Sequence, residues 1–359
     1  MRVMRVMRVL GASLVLSAVI VAGVNTLQAQ AARRAAGACD RGCLLGILDT
    51  YLKAVIAHDP SKAPLVIGFR TTENAINVRP GQGMWKTMTG FGPVQRRFAD
   101  PVTGQVAFYG LVTEGSEPAL VTVRLRVENR TLTEAEWYIA RATDPGLNGP
   151  RRAGGPPANS FNPEYLTANP PPDRTVPAAK RLTRDDLERI VTSYFDAITS
   201  HDGSVALTHP GCGRVENGSP TPAGAFLPAL PRAGRPGGAN PGRAGAPNAQ
   251  ANPAANDCVA NLQNFTAQMV VARRIPLIDE QAQAVLALAL FVRRAGTATP
   301  RNVFSEWFFI DDQRIRTIYT AMFYPPPDLA VPNWPPYWGN WPLPERFVPL
   351  PTGQPAGRP

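Results

Sequence analysis

Glu73 and Asn74 stand side by side in a stretch that reads as a short polar strand. A carboxylate next to an amide can act as a base with an orienting donor. On a turn, the same pair would instead satisfy backbone groups, as Asn-Gly does at Asn217 and Gly218. Glu136 lies on a predicted strand with Glu134 and Tyr138 on the same face. Turned inward, it is a buried general acid or base; turned outward, it pairs with Arg124 or Arg126 across the ladder. Trp85 follows Gly81-Gln82-Gly83 and either walls a ligand or fills core. Tyr109 neighbours Phe108 on a strand, so only one of them should point inward. Glu73, Asn74 and Glu136 are the candidate catalytic groups. Trp85, Tyr109, Arg124 and Tyr138 are the candidate ligand contacts.

Other chemistries find little support. The chain has 3 histidines, and neither they nor the cysteines keep a zinc-site spacing. His58 and His201 each follow a helix and precede an aspartate, a place where histidine commonly caps the helix dipole. No Ser/His/Asp or Cys/His order and no glycine-rich phosphate loop is present, so neither a metal nor a cofactor is expected. The 4 cysteines allow three pairings. Cys212 and Cys258 flank a long insertion and are expected to bond, pinning its ends. Cys39 and Cys43 are then left together, one helical turn apart, and can bond only if Cys39 sits outside the first turn.

The elements that position these residues occur twice. Leu44, Leu48, Tyr51, Leu52 and Val55 keep helical spacing on one face, and so do Leu187, Ile190, Val191, Tyr194 and Ile198. Thr183 is a natural N-cap for the second helix. One offset relates Tyr51 to Tyr194, His58-Asp59 to His201-Asp202 and Glu73-Asn74 to Glu216-Asn217, which marks an internal repeat. Strands are predicted over 105–114, 119–128 and 132–140, and again over 284–293, 303–311 and 314–323. Glu136-Trp137 and Glu306-Trp307 look like a shared motif, but alignment through the turns sets Glu136 against Tyr319.

The ends and joints carry their own signals. Arg2, Arg5 and Arg8 precede an uncharged apolar run at 10–24, and Ala29-Gln30-Ala31 follows as a small-x-small site. Residues 1–31 thus read as a signal peptide, and the mature chain as secreted or periplasmic, without a membrane span after cleavage. The formal charge of +10 is partly carried by the leader and by glycine- and proline-rich segments, which argues against a nucleic-acid surface. The two repeats span 39–143 and 181–324, joined by a linker at 144–180. An Ala/Pro/Gly-rich stretch at about 220–256 is expected to be a disordered insertion. The tail, 325–359, holds Trp334, Tyr337, Trp338 and Trp341 among prolines and is expected to fold back as a strap.

A long helix, a short polar strand and a curved antiparallel sheet resemble the SnoaL-like, ketosteroid-isomerase-like superfamily with the nuclear transport factor fold. Thr72-Glu73-Asn74, Gly81-Gln82-Gly83-Met84-Trp85, Asp100, Gly104-Gln105 and Glu136 resemble more specifically a group of secreted SnoaL-like proteins of unknown function. The second repeat matches only in outline. The resemblance implies an α+β chain of two tandem cones, packed as a pseudo-dimer within a monomer, with a small apolar or aromatic molecule in the first cone. It also implies cofactor-free proton transfer of a lyase, dehydratase or isomerase kind. The alternatives are a non-catalytic binding or envelope-associated module and, less supported, a carbohydrate-active enzyme.

Overall fold

The computed structural model describes residues 39–325 apart from 154, 156, 222–257, 260, 261, 263, 264 and 294–300. The predicted leader, most of the insertion and the aromatic tail lie outside the described residues.

The first unit opens with α1 (Arg41–Ile56), capped by the Asp40 side chain on Cys43 N. Then follow β1 (Leu65–Glu73), β2 (Ile76–Val78), a short α2 (Met84–Thr87), β3 (Met88–Asp100), β4 (Gln105–Glu114), β5 (Glu117–Glu128) and β6 (Thr131–Ala140). A connecting α3 (Pro163–Ala168) leads to the second unit: α4 (Arg184–Ser200), β7 (Thr208–Glu216), β8 (Ser219–Pro220), β9 (Ala267–Asp279), β10 (Ala284–Arg293), β11 (Arg301–Asp311) and β12 (Arg314–Phe323). Thr183 caps α4 as expected. Each unit forms one six-stranded sheet, ordered β2-β1-β6-β5-β4-β3 and β8-β7-β12-β11-β10-β9. All neighbours are antiparallel except β1 with β6 and β7 with β12. The chain is therefore α+β with two similar sheet domains.

Every predicted strand is present, β3 and β9 join them, and both faces of the first sheet are packed. One face of the first sheet packs on α1 through Phe108, Val123, Leu125 and Trp137. The other packs on the second sheet: Tyr109, Leu120 and Tyr138 share a core with Leu286, Trp307, Phe309 and Tyr319. Phe98 stacks on Trp307 at 4.1 Å between ring centroids. Thr122 accepts hydrogen bonds from Ser305 Oγ at 2.8 Å and Trp307 Nε1 at 3.3 Å. Phe108 and Tyr109 are thus both buried, on opposite faces. Only Phe108 points to the helix side, as alternation requires, and Tyr109 lies on the face that the second unit covers.

Both disulfides are formed, Cys39–Cys43 and Cys212–Cys258. Cys39 lies ahead of the helix start at Arg41, which removes the geometric objection to bonding within a helical turn. The segment between the units is packed along much of its length. Leu166 is fully buried, Arg96 Nε donates to Pro171 O at 2.7 Å, and Tyr319 OH donates to Asn169 O and Pro170 O.

Candidate functional site

The sequence candidates do not form one constellation, because the first sheet separates them. Glu73 and Trp85 lie on the helix side. Glu73, at the end of β1, accepts Met84 N at 2.5 Å, and its carboxylate occupies the space that a Cβ on Gly83 would need. Burial pushes the Glu73 carboxyl up, only partly offset by the Met84 N–H and Arg141. Trp85 meets the Tyr51 ring edge-on at 5.3 Å, and Trp137 Nε1 donates to Tyr51 OH at 3.1 Å. Arg141 grips Glu114 at the same end. This interior is largely aromatic, with its acids at the margin.

Asn74 takes a left-handed φ of 49° in the β1–β2 turn, and its side chain pairs with the backbone of β6. Its Oδ1 accepts Ile139 N at 2.8 Å, and its Nδ2 donates to Ile139 O at 3.1 Å. Asn217 does the same in the second unit with Met322 N and O, at 2.7 and 2.9 Å. The repeated Glu-Asn pair thus includes an asparagine whose side-chain oxygen and one N–H continue the pairing to the neighbouring strand.

Glu136, Arg124, Tyr138 and Tyr109 lie between the two sheets. Glu136 is buried and bonds Arg124 and, across the interface, Arg274 at 2.8 and 3.2 Å. Both arginines are pulled down to about 10, chiefly by burial. Glu136 therefore faces neither the first interior nor solvent, the two placements that a single sheet allows.

A polar cluster that the sequence reading passed over occupies the helix side of the second sheet. Arg214 on β7, Glu216 two residues on, Glu306 on β11 and Thr320 on β12 share that face with Phe304 and Phe308. Arg214 Nη1 reaches Glu216 Oε2 at 2.8 Å, and its Nη2 reaches Glu306 Oε1 at 2.8 Å. Thr320 Oγ1 donates to Glu306 Oε1 at 3.1 Å, and Tyr324 OH donates to Glu216 Oε1 at 2.7 Å. Glu306 is 0 % exposed, and its Oε2 has no hydrogen-bond partner among the described residues. Burial raises the Glu306 carboxyl, against the pull of Arg214. Burial also works against the Arg214 charge, but Glu306, Tyr194 and Glu216 outweigh it, so the guanidinium stays charged. A carboxyl raised by burial with a fixed cation beside it is an arrangement that acid–base chemistry can use.

The register shows how far the two interiors have diverged. Glu73 pairs with Trp137 and Val123 with Trp137, where Glu216 pairs with Thr320 and Glu306 with Thr320. Where the second unit has Glu306 and Thr320, the first has Val123 and Trp137; Thr71 stands opposite Arg214. The signal for Glu306 was its parity with Phe304 and Phe308 on an apolar strand, which puts a carboxylate on the helix-facing side.

Among the described residues, one group could offer ligands to a metal: His209, Asp311 and Asp312 lie close together. Arg316 and Arg174 already hold the Asp311 oxygens, at 3.1 and 3.3 Å, which leaves little negative charge for a cation.

Residues 180–322 match a family profile described as a domain of unknown function (DUF8021). Neither the curated proteins nor the solved structures provide a match.

Proposed function

We propose that this chain is a secreted or periplasmic protein with two tandem SnoaL-like cones, the second of which holds a small apolar or aromatic molecule for cofactor-free proton transfer. The observation that carries this reading is Glu306. It is a fully buried carboxylate with one oxygen fixed by Arg214 and Thr320 and the other unpartnered. Buried acceptors are normally satisfied, so a free one in an aromatic interior suits an incoming donor or an exchanging proton. In this reading Glu306 takes up or delivers the proton, and Arg214 holds its ionised form. Tyr194 and Tyr324, both pushed up by burial, remain neutral donors. The two disulfides accord with an oxidising compartment. The first interior, walled by Trp85 and Tyr51, would then serve as scaffold or as a second binding cavity.

A non-catalytic binding module is the competing reading. It is favoured by the closed ring in which Arg214 binds Glu216 and Thr221, whose hydroxyl returns to Arg214 O.

Native mass spectrometry of protein from culture medium would identify the molecule that co-purifies. Its C–H exchange in D2O, or its conversion, is then followed by NMR with wild type and Glu306→Gln. A roughly 100-fold or greater loss in a variant that melts like wild type supports the enzyme. Equal rates, or no turnover in either protein, leave the binding module.

A further inference from the structure

Arg293 and Asn302 form a second polar pair inside the second unit. Arg293 is the last residue of β10 and Asn302 the second of β11, so they sit where the hairpin ends, at the rim of the interior. Both are buried, at 3 % and 0 % exposure. Arg293 Nη1 donates to Asn302 Oδ1, and Arg293 Nε donates to Thr266 Oγ1 at 3.3 Å. That leaves Arg293 Nη2 and Asn302 Nδ2, each without a hydrogen-bond partner among the described residues. The Nη1–Oδ1 bond holds these two N–H donors next to each other.

The charge is as incomplete as the hydrogen bonding. Among the described residues Arg293 forms no ion pair with a carboxylate. Two aromatic rings flank it, with the guanidinium 5.8 Å from the centroids of both Phe291 and Tyr324. Burial depresses its pKa. Glu216 acts on this charge without pairing directly with it. A buried guanidinium with no direct ion pair and a free N–H is costly in a folded protein, and an anion from outside would reduce the cost. Two adjacent N–H donors, one cationic, suit the paired oxygens of a carboxylate. The surroundings specify the rest of the ligand: Phe304 lies 4.4 Å from Phe291, and Phe265 meets Phe291 edge-on at 5.4 Å.

We propose that Arg293 and Asn302 receive the carboxylate of a small aromatic acid, whose ring lies among Phe291, Phe304 and Tyr324. This rests on the reading that the second interior takes a small molecule, and it names the class. The ligand is anchored at the rim and extends toward Glu306. Tyr324 links the two regions, since its ring lies beside Arg293 and its hydroxyl bonds Glu216.

The test is a thermal-shift and calorimetric titration of the full chain with benzoate, phenylacetate and cinnamate. Each acid is compared with its methyl ester, and acetate serves as the ringless control. The acids should raise the melting temperature, with esters and acetate binding at least about tenfold more weakly. Arg293→Met and Asn302→Leu should abolish the difference between acid and ester. Without ligand, Arg293→Met should melt at or above the wild-type temperature, because it removes an uncompensated charge. If Arg293→Met instead melts several degrees lower and Arg293→Lys restores it, Arg293 is structural and the assignment fails. Acid binding that survives Arg293→Met also overturns it. If the acids do not bind but a neutral molecule binds in a Glu306-dependent way, the carboxylate site is wrong while proton transfer stands. If nothing binds and Glu306→Gln is silent, both readings fall.

Discussion

Arg41, at the start of α1, binds Asp279 at the end of β9 in the other unit, Nη1 to Oδ2 at 2.7 Å. The contact has a counterpart: Arg184, at the start of α4, binds Asp100 at the end of β3 through both carboxylate oxygens, at 2.9 and 2.5 Å. Each aspartate also accepts a backbone N–H from the opposite strand, Ala99 N to Asp279 and Ile278 N to Asp100, both at 3.0 Å. The units thus exchange equivalent contacts, as two subunits do across a two-fold axis.

Asp279→Asn should therefore destabilise the protein by about 3 kcal/mol, since it leaves a partly buried arginine and a strand N–H poorly matched. Asp100→Asn should cost a similar amount. Urea unfolding with both interiors monitored should show a single transition shifting as a whole. A loss confined to one unit would mean that the pair does not couple them.

Replacing Asn74 or Asn217 by Ala should cost about 2 kcal/mol each, from two lost backbone bonds and a less tolerant left-handed turn. Asn74→Asp should not rescue, because it cannot donate to Ile139 O. Chemical denaturation measures this. A neutral Asn74→Ala would show that the β1–β6 junction holds without it.

Gly83 has φ 59° and ψ −129°, and a Cβ there would lie 2.1 Å from Glu73 Oε1. Gly83→Ala should therefore expel the Glu73 carboxylate from Met84 N and cost roughly 2 kcal/mol in stability. The Met84 amide resonance in NMR reports the broken bond. An unshifted Met84 amide would mean that the turn adapts.

Glu306 titrates above the ordinary glutamate value because of burial. The folded state therefore holds this proton more tightly than the unfolded chain, so this contribution to stability falls as pH rises through the interval between the two values. Glu306→Gln cannot titrate, so its melting temperature should gain on wild type as pH rises from about 4 to about 8. Glu73 has the same sign but is common to both proteins, and the difference isolates Glu306. A gap that narrows with pH would mean that Arg214 keeps Glu306 ionised.

The two long helices, three strands of each sheet, the repeat and the Cys212–Cys258 bond were legible in the sequence because each is a local pattern: helical spacing, alternation, a constant offset, cysteines flanking an insertion. β3 and β9 were not, and the Cys39–Cys43 bond hung on where the first helix starts. The second face of each sheet was not. On β5, Thr122, Arg124 and Arg126 alternate with apolar residues as the polar side of the strand, yet Thr122 is buried against Ser305 and Trp307. Alternation gives the parity of a strand but says nothing of what covers its polar side. The same gap misplaced Glu136, whose partner Arg274 lies 138 positions away. Glu306-Trp307 resembles Glu136-Trp137 in sequence, but the two pairs have opposite parity relative to the helix, and that likeness hides Glu306. In the family profile matched by 180–322, Glu306 and Arg214 are positions to inspect first.

The shared core between the sheets also bears on mass action. Two separate chains meeting through Tyr109, Trp307 and Phe309 would exist in proportions set by their concentration, and dilution would pull them apart. Here one peptide carries both halves, and the segment around α3 is itself buttoned down between them. The local concentration of each half around the other is then fixed by the tether, however few molecules are present. A protein working at vanishing concentration would keep its assembly intact, and each half is free to diverge without having to match a copy of itself.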